Sequence, residues 1–178
     1  MRVAERLVCI KRYASPCGEL LLGSYGDKLC LCDWTARVRR SQIDQRLLRK
    51  LDTQMMEGDS ETLLAATRQL DEYFCGERRV FDLPMLMIGT AFQRRIWQEL
   101  VKIPYGAIIS YAELARRIGN PTAVRAVANA NGANAISIFV PCHRVIGANG
   151  TLTGYAGGLN TKRFLLNMEA ENLSLLAN

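Results

Sequence analysis

The sequence predicts an α+β protein: a small antiparallel sheet with one covering helix, followed by a mainly helical half that contains a helix-turn-helix. Three observations predict it. Strand-like runs broken by turn residues fill the chain up to Trp34, apolar residues recur at helical spacing from Ser60 to Phe74, and capping signatures mark successive helix starts beyond Thr90.

Residues 7–10, 19–24 and 28–34 read LVCI, ELLLGS and KLCLCDW, with Tyr25-Gly26-Asp27 as a hairpin signal between the last two. These runs make the sheet. Ser60 then precedes Leu63, Leu64, Thr67, Leu70 and Phe74 at helical spacing, and Gly76 stops the helix, which can cover one face of the sheet. Residues 77–89 contain Pro84 and no helical period. They are expected to connect two units, 1–86 and 87–178.

In the second unit Thr90 and Gln93 form a T-x-x-Q capping box ahead of Phe92, Ile96, Trp97 and Leu100, which share an inward face. Ser110 and Glu113 repeat the device before Leu114 and Ile118, and Gly119 ends that helix. Asn120 is placed to cap a further helix with Pro121 at its first position, running to Gly132. Two short helices joined by a tight turn are the helix-turn-helix pattern. On the second, Val124, Val127 and Ala128 form the expected core side. Thr122, Arg125 and Asn129 form a polar stripe, and the small residues Ala123, Ala126 and Ala130 allow close approach of a partner.

The net charge is +6, with 14 Lys/Arg against 13 Asp/Glu over residues 1–89 and 9 against 4 over residues 90–178. A polyanion would therefore meet the second half. No apolar run approaches the roughly 20 residues that span a bilayer, and the opening MRVAERLVCIKR carries charges where a signal peptide is uniformly apolar. A cytoplasmic protein with no membrane partner is expected. Its six cysteines lack any C-x-x-C pair, and with a single histidine no metal site is expected. Reduced thiols are the better reading.

Residues 136–146, ISIFVPCHRVI, hold the most informative chemistry. An apolar run ends at Pro141, and Cys142 is followed directly by His143, the only histidine. Burial raises a thiol's pKa and leaves it inert unless a base or a cation offsets the desolvation. Neighbours in a strand point to opposite faces, so His143 needs a turn or a bridging water to serve the sulfur. These residues alone leave Cys142 either an inert buried thiol or a nucleophile.

PCHRV is preceded by ISYAELARRIGNPTAVRAVANANGAN and followed by GYAGGL and KRFLLNMEA. In that order the motifs closely resemble the O6-alkylguanine-DNA alkyltransferases, also called methylated-DNA--protein-cysteine methyltransferases. The resemblance runs from about Gly89 to Glu169. It is nearest to the bacterial stand-alone form, since no zinc-bearing regulatory segment precedes the sheet. The opening sheet is similar, more loosely, to the family's ribonuclease-H-like N-terminal domain.

The resemblance implies direct reversal of DNA alkylation, in which Cys142 irreversibly accepts an alkyl group from O6-alkylguanine, once per molecule and without a cofactor. His143 acts as base through a water, Glu169 orients His143, and Tyr111 protonates the departing guanine. Backbone groups at Cys142, Val145 and Ala156 read the guanine edge, and Tyr155 walls the pocket. Double-stranded DNA is bound through the minor groove by a monomer, and the target nucleotide is flipped into the protein. Arg125 fills the vacated space, flanked by Thr122, Ala123, Ala126 and Asn129, and Asn134 is the hinge between the recognition helix and the active-site segment. Ser137 stands where some relatives have proline, which implies a wider pocket that takes bulkier alkyl groups and O4-alkylthymine. Three other functions fit less of the sequence. A non-enzymatic lesion sensor would lack the reactive cysteine, a cysteine hydrolase places its nucleophile and base far apart in the chain, and a plain helix-turn-helix regulator leaves PCHRV unexplained.

Overall fold

The computed structural model describes residues 7–175. Residues 1–6 and 176–178, at the ends of the two expected units, lie outside the described residues, as does half of the charged opening stretch. Strands β1 (Val8–Ser15), β2 (Gly18–Tyr25) and β3 (Lys28–Trp34) form the expected antiparallel meander. Gly26 opens the two-residue β2–β3 loop at φ 60°, a left-handed value that glycine adopts without a Cβ clash.

A helix, α1 (Arg40–Leu51), then leads into a short strand, β4 (Met55–Glu57), which pairs parallel to β1. The sheet is therefore mixed, in the order β3-β2-β1-β4, rather than purely antiparallel. Only Ile43 and Leu47 of α1 are buried, so its apolar stripe is too narrow to stand out among arginines and glutamines. Helix α2 (Glu61–Phe74) covers the sheet, capped by Ser60, whose hydroxyl accepts from Leu63 N. Its inward face is Leu63, Ala66, Leu70 and Tyr73, while Leu64 turns out to solvent.

The connector and the active-site segment both use the outer edge of β3. Leu29 N donates to Pro84 O and Leu86 N to Leu29 O, at 2.9 and 2.8 Å. Further along the same edge Cys32 N donates to Ala135 O at 2.9 Å and Ser137 N to Cys32 O at 2.6 Å. Backbone groups that an edge strand would leave open are thus paired, and the run leading to Cys142 is built onto the first unit's sheet.

The second unit contains α3 (Ala91–Val101), β5 (Ile109–Ser110), α4 (Tyr111–Arg117) and α5 (Val124–Gly132). After them come a 3-10 turn (Cys142–Arg144), β6 (Val145–Ile146) parallel to β5, and α6 (Leu159–Ser174). The Thr90–Gln93 capping box is complete. At α4 only half of the expected box forms: Ser110 accepts from Glu113 N, but the Glu113 carboxylate pairs with Arg116 and Arg117. Helix α5 also starts later than its sequence suggests, after Ala123 and without a side-chain cap. The Asn120 side chain is occupied by the Thr122 hydroxyl at 3.0 Å, so it stabilises the turn instead of the helix. One apolar core joins the units, with Leu20 and Leu22 of the sheet, Leu70 of α2, Leu100 of α3, Val127 of α5 and Leu165 of α6 in the same cluster.

Candidate active site

The chain reaches Cys142 through two three-residue turns. Phe139 N donates to Ser137 O at 2.9 Å around Ile138, whose φ is 73°, a left-handed value that a β-branched side chain resists. Cys142 N donates to Val140 O at 2.8 Å around Pro141, at φ −80° and ψ 62°, an inverse γ-turn that suits proline. Strain held at Ile138 by complete burial is of the kind that collects at functional sites. Cys142, His143 and Arg144 follow in the 3-10 turn, all buried. A turn rather than a strand carries the pair, so strand alternation does not force Cys142 and His143 apart.

Cys142 is 3% exposed. Asn134 Nδ2 donates to its sulfur at 3.2 Å and to Val140 O at 3.0 Å, while Asn134 Oδ1 accepts from Ile136 N at 2.9 Å, which fixes the amide's orientation. Burial pushes the thiol up; the Asn134 hydrogen bond and the charges of Arg37 and Lys162 pull it down, and Asp33 adds to the rise. The thiol stays above its ordinary range until a base removes the proton.

Glu169 is fully buried, not at the surface where an isolated glutamate on a helix usually lies. Its Oε1 contacts His143 Nε2 at 2.8 Å, Tyr73 Oη at 2.7 Å and Arg144 Nη2 at 2.9 Å; Oε2 accepts from Arg144 Nε and Gly106 N, both at 2.9 Å. Burial alone would raise its pKa, but the hydrogen bonds and charges of His143 and Arg144 outweigh burial and hold it well below the carboxylate range. His143 is lowered, chiefly by burial, against the opposing pull of Glu169. Its Nδ1 is buried without a hydrogen-bond partner.

Beside this centre lies a cleft of about 790 Å³, within the size range of small-molecule sites. Tyr111, Tyr155 and Ala156 line it, with Val124 and Ala128 of α5 on one side and Trp34 and Arg37 of the first unit on another. Val124 and Ala128 line the cleft, Val124 also packing against the core, and Val127 alone of that trio is fully buried. Burial raises the Tyr111 hydroxyl, as does the Cys142 charge, against hydrogen bonding to Thr153 and Asn131. Burial likewise holds the Tyr155 hydroxyl well up. Both tyrosines thus keep their protons at neutral pH. Arg125, Ala126 and Asn129 are exposed together on α5, with exposed Thr122 and half-buried Ala123 in the turn just before it.

Like Cys142 itself, Ser137 lies outside the residues that line the cleft. It is fully buried, its N–H is tied to Cys32 O, and the cleft lining includes neither Ser137 nor Val145. The β3 edge bond draws Ser137 into the interface between the units.

Four residues of the site carried no assigned role in the sequence. Arg144 stands inside PCHRV and grips Glu169 through two nitrogens while its Nη1 donates to Ile103 O at 2.7 Å. Tyr73 reaches Glu169 from α2 and gives no local sign of it. Lys162 Nζ is buried, donating to Val145 O at 2.6 Å and Thr153 O at 2.9 Å, and lies 5.9 Å from the centre of the Tyr111 ring. Trp34 packs beneath the glycine-rich loop, where a Cβ on Gly157 would stand 2.8 Å from its ring. Arg144 stands against the apolar pair Val145–Ile146, a local sign of burial with a partner, whereas Lys162, between Thr161 and Arg163, gives none.

Two family models match the chain. The 6-O-methylguanine DNA methyltransferase ribonuclease-like domain matches residues 9–87, and the 6-O-methylguanine DNA methyltransferase DNA binding domain matches residues 91–171. The chain is 45% identical over 156 residues to the constitutive methylated-DNA--protein-cysteine methyltransferase of Bacillus subtilis (strain 168), covering 87% of this chain and 91% of that protein. Against the methylated-DNA--protein-cysteine methyltransferase of Methanosarcina acetivorans it is 42% identical, with coverage of 88% and 95%. The crystal structure of Mycobacterium tuberculosis O6-methylguanine methyltransferase superposes with a TM-score of 0.79 at 40% identity, covering 95% of this chain and 99% of that one. The Mycobacterium tuberculosis OGT solved in complex with DNA gives 0.80 at 41% identity over the same shares.

Proposed function

The chain belongs to the 6-O-methylguanine DNA methyltransferases, and from that premise we propose that Cys142 is the residue alkylated in its reaction. The protein repairs alkylated DNA by transferring the alkyl group to a cysteine, and DNA is its partner. The observation that carries the assignment to Cys142 is the polarity of the neighbouring His143–Glu169 contact. Glu169 stays ionised, so the shared proton belongs to His143 Nε2, and Nδ1, on the residue that follows Cys142 in the chain, is left as a lone-pair acceptor with no protein partner.

In this reading the Cys142 proton passes through a water to His143 Nδ1. The sulfur attacks the alkyl carbon, an S–C bond forms, the C–O6 bond breaks, and its electron pair leaves with guanine. Tyr111 protonates the departing base and regains a proton from His143, so the thiol proton ends on guanine. The product is a thioether, which is why each molecule acts once.

Delivery follows the same logic. Arg125 fills the space left by a flipped nucleotide, and the small exposed face of Ala126 with Ala123, Thr122 and Asn129 lets α5 sit in the minor groove. Asn134 links α5 to the thiol as a hinge, and Val145, Tyr155 and Ala156 frame the base. Acceptance of larger alkyl groups and of O4-alkylthymine belongs to the same reading, from Ser137 standing where some relatives have proline. Units 1–86 and 87–178, a monomeric state and a cytoplasmic location complete the proposal; no helix among the described residues is long and apolar enough to cross a membrane.

Incubation with a duplex carrying one O6-methylguanine, followed by peptide mass spectrometry, is expected to place a single added methyl on the peptide containing Cys142. Cys142→Ala should keep affinity for the lesion and transfer nothing. A methylated peptide other than that of Cys142 would overturn the assignment.

A further inference from the structure

A helix leaves its last carbonyls without intrahelical donors. At the end of α5, side chains from other elements meet them one after another. Trp97 Nε1 of α3 donates to Ala130 O at 2.8 Å, and Arg46 Nη2 of α1 donates to Ala133 O at 2.7 Å. Arg37, just beyond β3, donates through Nη2 to Gly132 O and through Nη1 to Asn134 O at 2.9 Å. The same Nη1 lies 3.2 and 3.1 Å from the two carboxylate oxygens of buried Asp33, which holds the guanidinium in place. Asn134 then contacts the sulfur of Cys142 at 3.2 Å.

We propose that Arg37 is a positioning residue for alkyl transfer: its fork ties the end of α5 to the Asn134 backbone and so holds the Asn134 amide on the Cys142 sulfur. A flat guanidinium suits the task, because two of its nitrogens address two carbonyls at fixed separation; a lysine ammonium has a single centre. The contact comes from the first unit, which gives the sheet a part in the chemistry as well as in the fold. It also joins α5, the surface proposed to meet DNA, to the reacting thiol through two residues, Arg37 and Asn134.

The charge of Arg37 acts on the thiol in the same direction as the contact. The titratable and charged groups facing Cys142 are Cys32 and Asp33 from β3, Arg37, Tyr111 at the start of α4, its neighbour His143, Tyr155 of the glycine-rich loop, and Lys162 of α6. Arg37 and Lys162 are the cations of that set that favour the thiolate.

The inference rests on Cys142 as the acceptor. The test measures alkylation of the full chain by free O6-benzylguanine, with no DNA present, across pH 6 to 10 for wild type, Arg37→Met and Arg37→Lys. Arg37→Met is expected to react about tenfold more slowly at pH 7, with the deficit shrinking toward pH 10 as the thiol ionises unaided. Arg37→Lys, which keeps a cation but not the fork, should fall between the two proteins. In an Asn134→Ala background, Arg37→Met should slow the reaction by less than it does in the wild-type background, because its path through Asn134 is already cut and only its direct charge on the thiol remains. A wild-type rate for Arg37→Met at pH 7, a deficit constant across pH, or full additivity with Asn134→Ala would overturn the proposal. If Arg37→Met does not fold, Arg37→Lys decides, and a wild-type rate in it rejects the fork. Wild-type protein alkylated elsewhere than Cys142 would instead reject the acceptor assignment, independently of Arg37.

Discussion

Replacing Glu169 by glutamine tests the buried centre on which the chemistry depends. The carboxylate accepts from Tyr73, His143 and Arg144 on one oxygen and from Gly106 and Arg144 on the other, at 2.7 to 2.9 Å. Glutamine keeps the shape, but whichever way its amide turns, an NH2 group faces at least two of these donors. Arg144 is also left buried without a counter-charge. Hydrogen bonds to a charged group are worth about 1.5–3 kcal/mol each, and breaking one partner of a buried ion pair costs about 3–5 kcal/mol. A loss of about 3–5 kcal/mol at pH 7 is therefore expected, a large share of the roughly 5–15 kcal/mol that holds a domain folded. The sign with pH follows from the depressed pKa of Glu169. Its contribution is present above the unfolded glutamate value of about 4.3 and is lost as pH falls below it. His143, also lowered, works in the same direction below about pH 6.5, and more steeply in Glu169→Gln, which lacks the opposing pull of Glu169. Urea denaturation of wild type at pH 7, 5 and 4 should show stability falling in acid, and at pH 7 Glu169→Gln should lie about 3–5 kcal/mol below wild type. Single-turnover methyl transfer at pH 7 should fall about 10²-fold as His143 loses its orienting partner. A gap below about 1 kcal/mol at pH 7, or wild-type stability that does not fall in acid, would refute the reasoning.

Other substitutions probe separate parts of the molecule. Arg125→Ala is expected to slow repair of O6-methylguanine in duplex DNA about tenfold while leaving reaction with the free base within about twofold, because only the duplex needs a flipped nucleotide; equal losses on both substrates would rule out the wedge. Ser137→Ala removes a buried hydroxyl that has no partner, so denaturation should show a gain of about 1 kcal/mol. A loss of that size would mean the hydroxyl is bonded in solution. Gly157→Ala brings a methyl to 2.8 Å from the Trp34 ring, and should cost about 1–3 kcal/mol by overpacking. It should also raise the free-base concentration giving half-maximal rate, since the shifted loop carries Tyr155 and Ala156; an unchanged melting curve and unchanged half-saturation would contradict the packing.

The local sequence was informative wherever a backbone pattern repeats over a few residues. The β1–β3 meander, the caps at Ser60 and Thr90 and the left-handed Gly119 are all readable, because strand alternation, helix periodicity and capping are short-range effects. The same rules misplaced the start of α5, where Asn120 has two competing hydrogen-bonding choices and the Thr122 hydroxyl takes it. They also passed over α1, whose buried residues are too few to set a visible stripe, and with it the parallel strand β4.

For the site, sequence supplied the residues and their order: Cys142 beside His143, Tyr111 at a helix start, Arg125 on a polar stripe, Glu169 near the end of an apolar helix. It left open whether Cys142 is reactive or inert, since a thiol's state depends on what surrounds it. Tertiary structure decided that question's physical terms. It buried Glu169 among donors contributed by α2, the loop at Gly106 and the 3-10 turn, left His143 Nδ1 without a protein partner, and tied Ser137 to the edge of β3. It also brought Arg37 to Asn134, 97 residues away. Periodicity and capping are written in neighbouring residues, whereas the charge and hydrogen bonding of a buried group are set by faces that meet only when the two units close on one core.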